Sequence, residues 1–435
     1  MNSLLIKKCS WIVTQNPQKT ILRDYSVYIE NVVITDITRN PRYEAGQAID
    51  GKGMALLPGL INTHTHLPMT LLRGYADDMK LGEWLEKRVW PIERKFTKKH
   101  CYFGALLGCL EMISTGTTCV MDMYMHSEEA AKAVRQAGLR AFIGCGVIDF
   151  FDPLLQPSQI SDAKKRAAFI QEMNDPRIHA AISPHSLFTC SEELLLKAKD
   201  LADREHLPLQ IHAAETRREQ ADFERRHGMR EIEFLDKIGF LDENVIAVHC
   251  VWITKTEIKT LAKHGVKVSH CPVSNMKLAE GGVAPIPEMF ENGVAVSLGT
   301  DSAASNNSLD MFETMKFCAL VHKAHRWDPT VLPAQKVLDL ATIDGAHALG
   351  LSNMVGSVEV GKLADLILVN LNSPNLAPIH GEETLISHLV YSAKGSNVDT
   401  TIVNGEILMR GRKILTLNPR ETLEMAQKLA SELIL

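Results

Sequence analysis

The sequence predicts an α/β protein: a (β/α)8 TIM-type barrel carrying a small composite β-sandwich domain made from the N- and C-terminal segments. Three observations predict it. Between about residues 58 and 361, short apolar β-branched runs alternate with helical patterns, as parallel strands joined by crossover helices do. The polar residues of these runs gather at their carboxyl ends, the rim at which a barrel assembles its site from different strands. Both chain ends have the texture of antiparallel strands with tight turns. The expected boundaries are 58–361 for the barrel and 1–57 with 362–435 for the composite sandwich.

Taken in order, LLIKKCSWIV, YSVYIENVVITDI and AIDGKGMALL are strands separated by Asn, Pro and Gly. Eight barrel runs follow: LLPGLINTHTH (56–66), TTCVMDMY (117–124), RAFIGCGVID (140–149), IHAAISPHS (178–186), LPLQIHAAE (207–215), VIAVHC (245–250), VKVSHCP (266–272) and VAVSLGTD (294–301). SEEAAKAVRQAG, SEELLLKAKDLADREH and TKTEIKTLAKHG supply crossover helices, each opening on Ser or Thr followed by Glu, which is N-cap chemistry. DLILVNL and TTIVNGEILMRGRKIL return to strand, with a hairpin turn at Asn404-Gly405. A doubly wound open sheet is the alternative fold, but the GxGxxG turn of its dinucleotide-binding form is absent after the first strand.

Composition narrows the class of function. The 435 residues are 45% hydrophobic and 23% charged, an ordinary soluble balance that excludes disordered and collagen-like chains. A net charge of -5, mixed along the chain, predicts no nucleic-acid partner. Nine scattered cysteines without a CxxC pair predict a reducing compartment. Lys7 and Lys8 interrupt what a signal peptide would need as its apolar stretch, and no run reaches the length of a membrane span. The expectation is a cytoplasmic protein with no membrane partner.

His64 and His66, two apart at a strand end, can grip one ion with imidazole nitrogens about 2 Å away. His212 at the end of the fifth run and Asp301 at the end of the eighth complete an N3O donor set. Three neutral imidazoles and a carboxylate leave a divalent ion about one unit positive, enough to activate water near neutral pH. Glu215, three residues after His212, is a carboxylate placed to shuttle protons. His249 can hold the attacking oxygen or polarise a substrate. The fourth run ends in His185 where a two-metal hydrolase would place a bridging lysine, which favours a single ion. Zinc, iron and manganese all suit such ligands, with zinc first. Each residue alone has a bland reading, such as a core histidine for His212 or a turn-capping aspartate for Asp301. Their joint placement at strand ends carries the argument.

LLPGLINTHTHLPMTLLRGYADD, EMISTGTTCVMDMY, SPHSLFTCSEELL, QIHAAET, VIAVHC, SHCPVSNMKLAEGGVAPIPEM, LGTDSAASNNSLDMFETM and VGSVEVGKLADLILV together resemble the amidohydrolase superfamily over almost the whole chain. Within it they resemble the mononuclear nucleoside and aminoheterocycle deaminases, the branch that includes 5-methylthioadenosine/S-adenosylhomocysteine deaminase. The resemblance implies the same metal ligands and the same assisting Glu215 and His249. It also implies that Glu93 holds ribose hydroxyls, that His185 contacts a nucleoside, and that Trp84 and Trp90 line the base or alkylthio pocket. The implied reaction is hydrolytic deamination of an adenine nucleoside, and the implied assembly is a homo-oligomer, dimer or tetramer. Cys145 stands where an arginine is expected for the amino-acid tail of S-adenosylhomocysteine. That departure favours 5-methylthioadenosine, 5′-deoxyadenosine or adenosine. The alternatives are deamination or dechlorination of another aminoheterocycle (guanine, a pterin, an s-triazine), or a non-catalytic binding protein on the same fold.

Overall fold

The computed structural model describes residues 3–42 and 44–434, so residues 1, 2, 43 and 435 of the expected sandwich segments lie outside the described residues. All eight expected runs form barrel strands. They are β1 (Leu60–Thr65), β2 (Thr117–Tyr124), β3 (Arg140–Val147), β4 (Ile178–Pro184), β5 (Leu209–Ala213), β6 (Val245–His249), β7 (Lys267–His270) and β8 (Ala295–Leu298). They pair in parallel in sequential order, and a hydrogen bond from Asp301 N to His64 O at 3.0 Å ties the two ends of the sheet together. The doubly wound alternative is thereby excluded, because its strand order would reverse within the sheet.

Local chemistry sets the crossover helices. Ser191 caps Glu192–Arg204 through Leu194 N, and Thr254 with Glu257 forms a reciprocal capping box on Lys255–His264. Ser127 departs from the expected pattern. It is the first residue inside its helix, with His126 at the cap, and its hydroxyl turns to Cys145 Sγ at 3.4 Å.

The barrel interior is layered. Ile61, Met121, Phe142, Ala181 and Ile246 fill its amino-terminal end and meet Leu349, Leu351 and Val355 below. Burying each large aliphatic or aromatic side chain there contributes about 1.5–3 kcal/mol. Above them Thr63 bonds the hydroxyls of Ser269 and Ser297 at 2.7 and 2.8 Å, a small polar layer. With its lower end filled, the barrel opens at the carboxyl rim onto a cavity lined by residues of several strands.

Strands from both chain ends interleave outside the barrel. Met54–Pro58 pairs antiparallel with Leu366–Asn370 inside a seven-stranded sheet. Ile6, Ile29 and Ile34 of a separate four-stranded sheet pack on Leu56, Leu366 and Ile402 of the seven-stranded one, a two-layer sandwich. Asn404 and Gly405 both have positive φ, as the expected hairpin turn requires. The helices of 362–435 lie elsewhere. Glu382–Tyr391 packs on the helices Met311–Arg326 and Ala334–Leu340, and Pro419–Ile434 packs on Lys98–Thr115. Leu429 and Leu433 put the apolar stripe of that last helix into the cluster of Met69, Leu72 and Trp84 beside the barrel mouth. No described helix is long and apolar enough to cross a membrane.

Candidate active site

A bulge aims the first two histidines. Strand β1 pairs Asn62 with Val120 but Thr65 with Asp122, so it carries one extra residue against β2. Without that residue, alternation from the inward-facing Ile61 would turn His64 toward the helices. With it, His64 and His66 enter the mouth. Gly299 allows β8 to come up beside them, since a Cβ there would lie 2.9 Å from the His64 Cβ. Asp301, Ala214 and His249 all hold positive φ at the strand ends, a concentration of backbone strain typical of functional sites.

Each of the three imidazoles His64, His66 and His212 has an oxygen acceptor at Nδ1. For His64 it is Gln210 Oε1 at 2.9 Å, and the Gln210 amide is oriented by donating to Thr63 O at 2.8 Å. For His66 it is Met123 O at 2.5 Å, and for His212 it is His185 O at 2.7 Å. A neutral imidazole that donates at Nδ1 has a bare lone pair at Nε2. Those lone pairs converge. His64 Nε2 is 3.2 Å from His212 Nε2 and 3.4 Å from Asp301 Oδ1, while His66 Nε2 is 3.3 Å from the same oxygen. The second carboxylate oxygen of Asp301 is held by the hydroxyls of Ser274 and Ser305 at 2.6 and 2.8 Å.

Converging lone pairs and a carboxylate repel unless a cation lies between them, and a metal-ligating histidine is held at its far nitrogen in this way. The residues present therefore fit a divalent ion. The donor atoms of His64, His66 and Asp301 lie within 4.8 Å of one another, as do those of His64, His212 and His249; His64 is common to both sets. His212 joins the expected quartet through its contact with His64. A third grouping, His270 with Cys318 and His322, lacks this support. Its two histidines meet at 3.1 Å through Nε2, and neither Nδ1 has a partner among the described residues.

Burial pushes the Asp301 carboxyl up, but its hydrogen bonds with His64 and His66 outweigh this and hold it well below the usual range. Burial likewise pulls His66 down while Asp301 raises it, with a net rise. A proton on His66 and a metal ion are thus competing ways to balance Asp301. His212 is driven well below its ordinary value by burial and by the imidazoles of His185 and His64.

Glu215 lies next to this group, with Oε1 3.5 Å from His249 Nε2. Burial, then the neighbouring Glu280 carboxylate, raises Glu215 well above its ordinary value. Burial also raises Glu280, to about 8. Sequence reasoning missed Glu280, as it missed Gln210 and Asn275, because none sits at a strand terminus in a recognisable metal-ligand spacing.

These groups open onto a cavity of about 510 Å³. Its wall includes His185, Glu93, Trp84 and Trp90, each of them singled out in the sequence. Glu93 is partly buried, accepts from Tyr124 Oη at 2.6 Å, and is raised by desolvation. His185 is held through Nδ1 by Thr189 Oγ1 at 2.8 Å and is lowered to about 3 by burial and then by His66. Trp84 belongs to the packed cluster under the C-terminal helix, whereas Trp90 meets Phe150 edge to face at 5.4 Å. Asp122 and Asp149, also at strand ends, act on backbone, accepting from Leu67 N at 2.6 Å and from Ser191 N at 3.0 Å.

Contrary to the expectation from sequence, Cys145 does not face the ligand. Its side chain is fully buried in the shell between barrel and helices, facing Ser127, so a longer residue there would point away from the cavity. Parity along β3 is the reason: the neighbouring Gly146 lines the cavity and Cys145 takes the opposite face. A cation is nevertheless present in the wall. Arg166 reaches it from the helix Gln156–Glu172, where no motif marks it.

Comparison with known proteins agrees with this architecture. The pattern of the amidohydrolase family matches residues 55–408. A 5′-deoxyadenosine deaminase of Methanosarcina barkeri is 45% identical over 430 residues, covering 99% of this chain and 98% of the relative. A 5-methylthioadenosine/S-adenosylhomocysteine deaminase of Thermococcus sibiricus is 45% identical over 407 residues, covering 94% of each. Among solved structures, an adenosine deaminase from Xanthomonas campestris with bound zinc superposes with a TM-score of 0.94 at 34% identity, over 99% of this chain and 98% of that one.

Proposed function

The chain belongs to the amidohydrolase family, and from that premise we propose that it is a metal-dependent hydrolase that deaminates adenine nucleosides, giving the inosine-type product and ammonia. The observation that carries the reading is the trio of imidazoles held at Nδ1 with their Nε2 atoms facing one carboxylate. Relatives that match over nearly the full length and act on adenine nucleosides support the choice of substrate.

His64, His66, His212 and Asp301 would hold one divalent ion, zinc first and iron or manganese next. Such an ion supplies a Lewis acid that makes water nucleophilic at neutral pH. Glu215 takes a proton from the attacking water and delivers it to N1 of the purine, while the water oxygen bonds to C6. Asp301 accepts the remaining proton and passes it to the departing amino group, and the C6–N bond breaks to release ammonia. His249 faces the oxygen that adds. Glu93 accepts hydrogen bonds from the ribose hydroxyls, and His185 contacts the nucleoside. Trp84 and Trp90 flank the base and the 5′ substituent. Because Arg166 stands in the wall and Cys145 does not, S-adenosylhomocysteine joins 5-methylthioadenosine, 5′-deoxyadenosine and adenosine as a candidate substrate.

The outer sheets, residues 1–57 with the strands of 362–435, form the composite sandwich, and 58–361 the catalytic unit. Nine free, buried cysteines fit a reducing cytoplasm. The reading includes a homo-oligomer and no nucleic-acid or membrane partner. The test is a panel of purine nucleosides and bases assayed for ammonia release, with metal measured on the same preparation. Turnover of adenine nucleosides in proportion to bound metal is expected. A metal-replete protein inert toward every one of them would sink the assignment.

A further inference from the structure

His249 could be read as a fourth imidazole ligand, since its nitrogen lies within 4.8 Å of the donor atoms of His64 and His212. Its hydrogen bonds say otherwise. His249 Nδ1 is 2.9 Å from Asn275 Nδ2, and the same amide nitrogen is 2.6 Å from Glu280 Oε2. An amide nitrogen carries two hydrogens and offers no lone pair, so it donates once to each neighbour. His249 must then accept at Nδ1, and a neutral imidazole that accepts at one nitrogen carries its proton on the other. This is the reverse of His64, His66 and His212, whose Nδ1 atoms all face oxygen acceptors.

The arrangement is built and buried. Asn275 and Glu280 are 5% and 6% exposed and His249 1%, so water has little access to scramble the pattern. Asn275 lies in the short helix Pro272–Lys277 that follows β7, and the backbone N of Glu280 bonds its carbonyl at 3.2 Å. Trp252, three residues beyond His249, donates through Nε1 to Glu280 O at 2.8 Å, which ties the loop after β6 to the loop after β7. In the structure the amide nitrogen of Asn275, not its oxygen, faces both Glu280 Oε2 and His249 Nδ1. Glu280 therefore fixes the amide, and the amide fixes the ring.

We propose that Asn275, oriented by Glu280, is a positioning residue that keeps the proton of His249 on Nε2, so that His249 stays outside the metal ligand set and presents an N–H to the reacting centre. That N–H faces Glu215 and the oxygen that adds to the ring carbon, and it stabilises the negative charge that develops there. No proton leaves His249 during the reaction. The catalytic consequence rests on the deaminase reading; the tautomer does not.

The test uses the full-length, metal-loaded protein labelled with ¹⁵N-histidine, with the His249 signals assigned by their loss in His249→Gln. Wild type should show the proton on Nε2. The decisive variant is Asn275→Asp combined with Glu280→Gln, which keeps one carboxylate and one amide but exchanges their places. The introduced carboxylate can only accept, so the His249 proton should move to Nδ1. Metal should remain stoichiometric, KM should stay within about threefold, and kcat should fall about a hundredfold or more, as when one charge-stabilising donor is removed. A wild-type spectrum with the proton on Nδ1, or a double variant with kcat within about threefold of wild type, overturns the proposal. If the double variant fails to fold, the wild-type spectrum alone decides. A protein inert toward all adenine nucleosides would refute the deaminase reading and leave the tautomer to the same spectrum.

Discussion

Replacing Gln210 by methionine would test the proposed metal site through a residue outside its donor set. Gln210 Oε1 accepts the His64 Nδ1–H at 2.9 Å, and its Nε2 donates to Thr63 O at 2.8 Å, all four groups being buried. Methionine has a similar length and no hydrogen-bonding amide, so packing is largely kept while both bonds are lost. Two consequences follow, and they separate. In the metal-free protein, each group left without a partner costs about 1–3 kcal/mol, which lowers the melting temperature. In the metal-bound protein, His64 loses the contact that holds its Nε2 lone pair inward, and loss of such a partner weakens metal binding about 10–100-fold, or about 1.4–2.7 kcal/mol. Competition with a chromophoric chelator reads the affinity, and melting of the stripped protein reads the stability. A folded variant that binds metal within about twofold of wild type would refute the assignment of His64 as a ligand held through Gln210.

Other substitutions probe separate links. Glu215→Gln should retain metal and lose about 10²–10⁴ in kcat; normal turnover would remove its proton-shuttle role. Arg166→Met should raise KM for a nucleoside with an anionic 5′ tail and leave 5-methylthioadenosine nearly unchanged, whereas equal effects on both would deny Arg166 a part in recognising the tail. Because a proton on His66 competes with the ion and Asp301 raises that imidazole, metal should leave progressively as pH falls below neutrality and rebind on return. Metal content after gel filtration at stepped pH measures this, and retention into strong acid would contradict it. Burial raises Glu231 from 4.5 to about 8, so the folded state keeps a proton that the unfolded chain has lost, and stability falls as pH rises across that window. Glu231→Gln, whose carbonyl can still accept from Ala214 N, should recover up to about 5 kcal/mol above pH 8. Identical pH–stability curves for both proteins would show that Glu231 is not the group responsible.

The barrel was readable because its signal is local. Each strand is a short apolar run, each crossover begins with its own cap, and the polar residue ending a strand marks the rim without reference to any other strand. The same locality explains why His64, His66, His212 and Asp301 stood out as a set, and why Glu215 did so beside His212. It also explains two failures. Ser127 has the residue type of a cap but sits one position inside its helix. Cys145 was assigned to the ligand's side although strand parity turns it to the helices. The C-terminal helices were grouped with the sandwich by proximity in sequence, yet their apolar stripes found partners on the barrel.

The amino-acid sequence by itself determined the eight-strand alternation, the positions of the histidines and carboxylates at the strand ends and the interleaving of the two chain ends, since periodicity and residue chemistry are properties of short segments. Only the tertiary structure decided which nitrogen of each histidine carries the proton. That choice depends on partners such as Gln210, 146 residues from His64, and Asn275, 26 residues from His249. It also placed Arg166 in the cavity wall and Cys145 outside it. These outcomes follow from how the barrel closes, and closure brings into contact groups that no pattern within a single strand or helix relates.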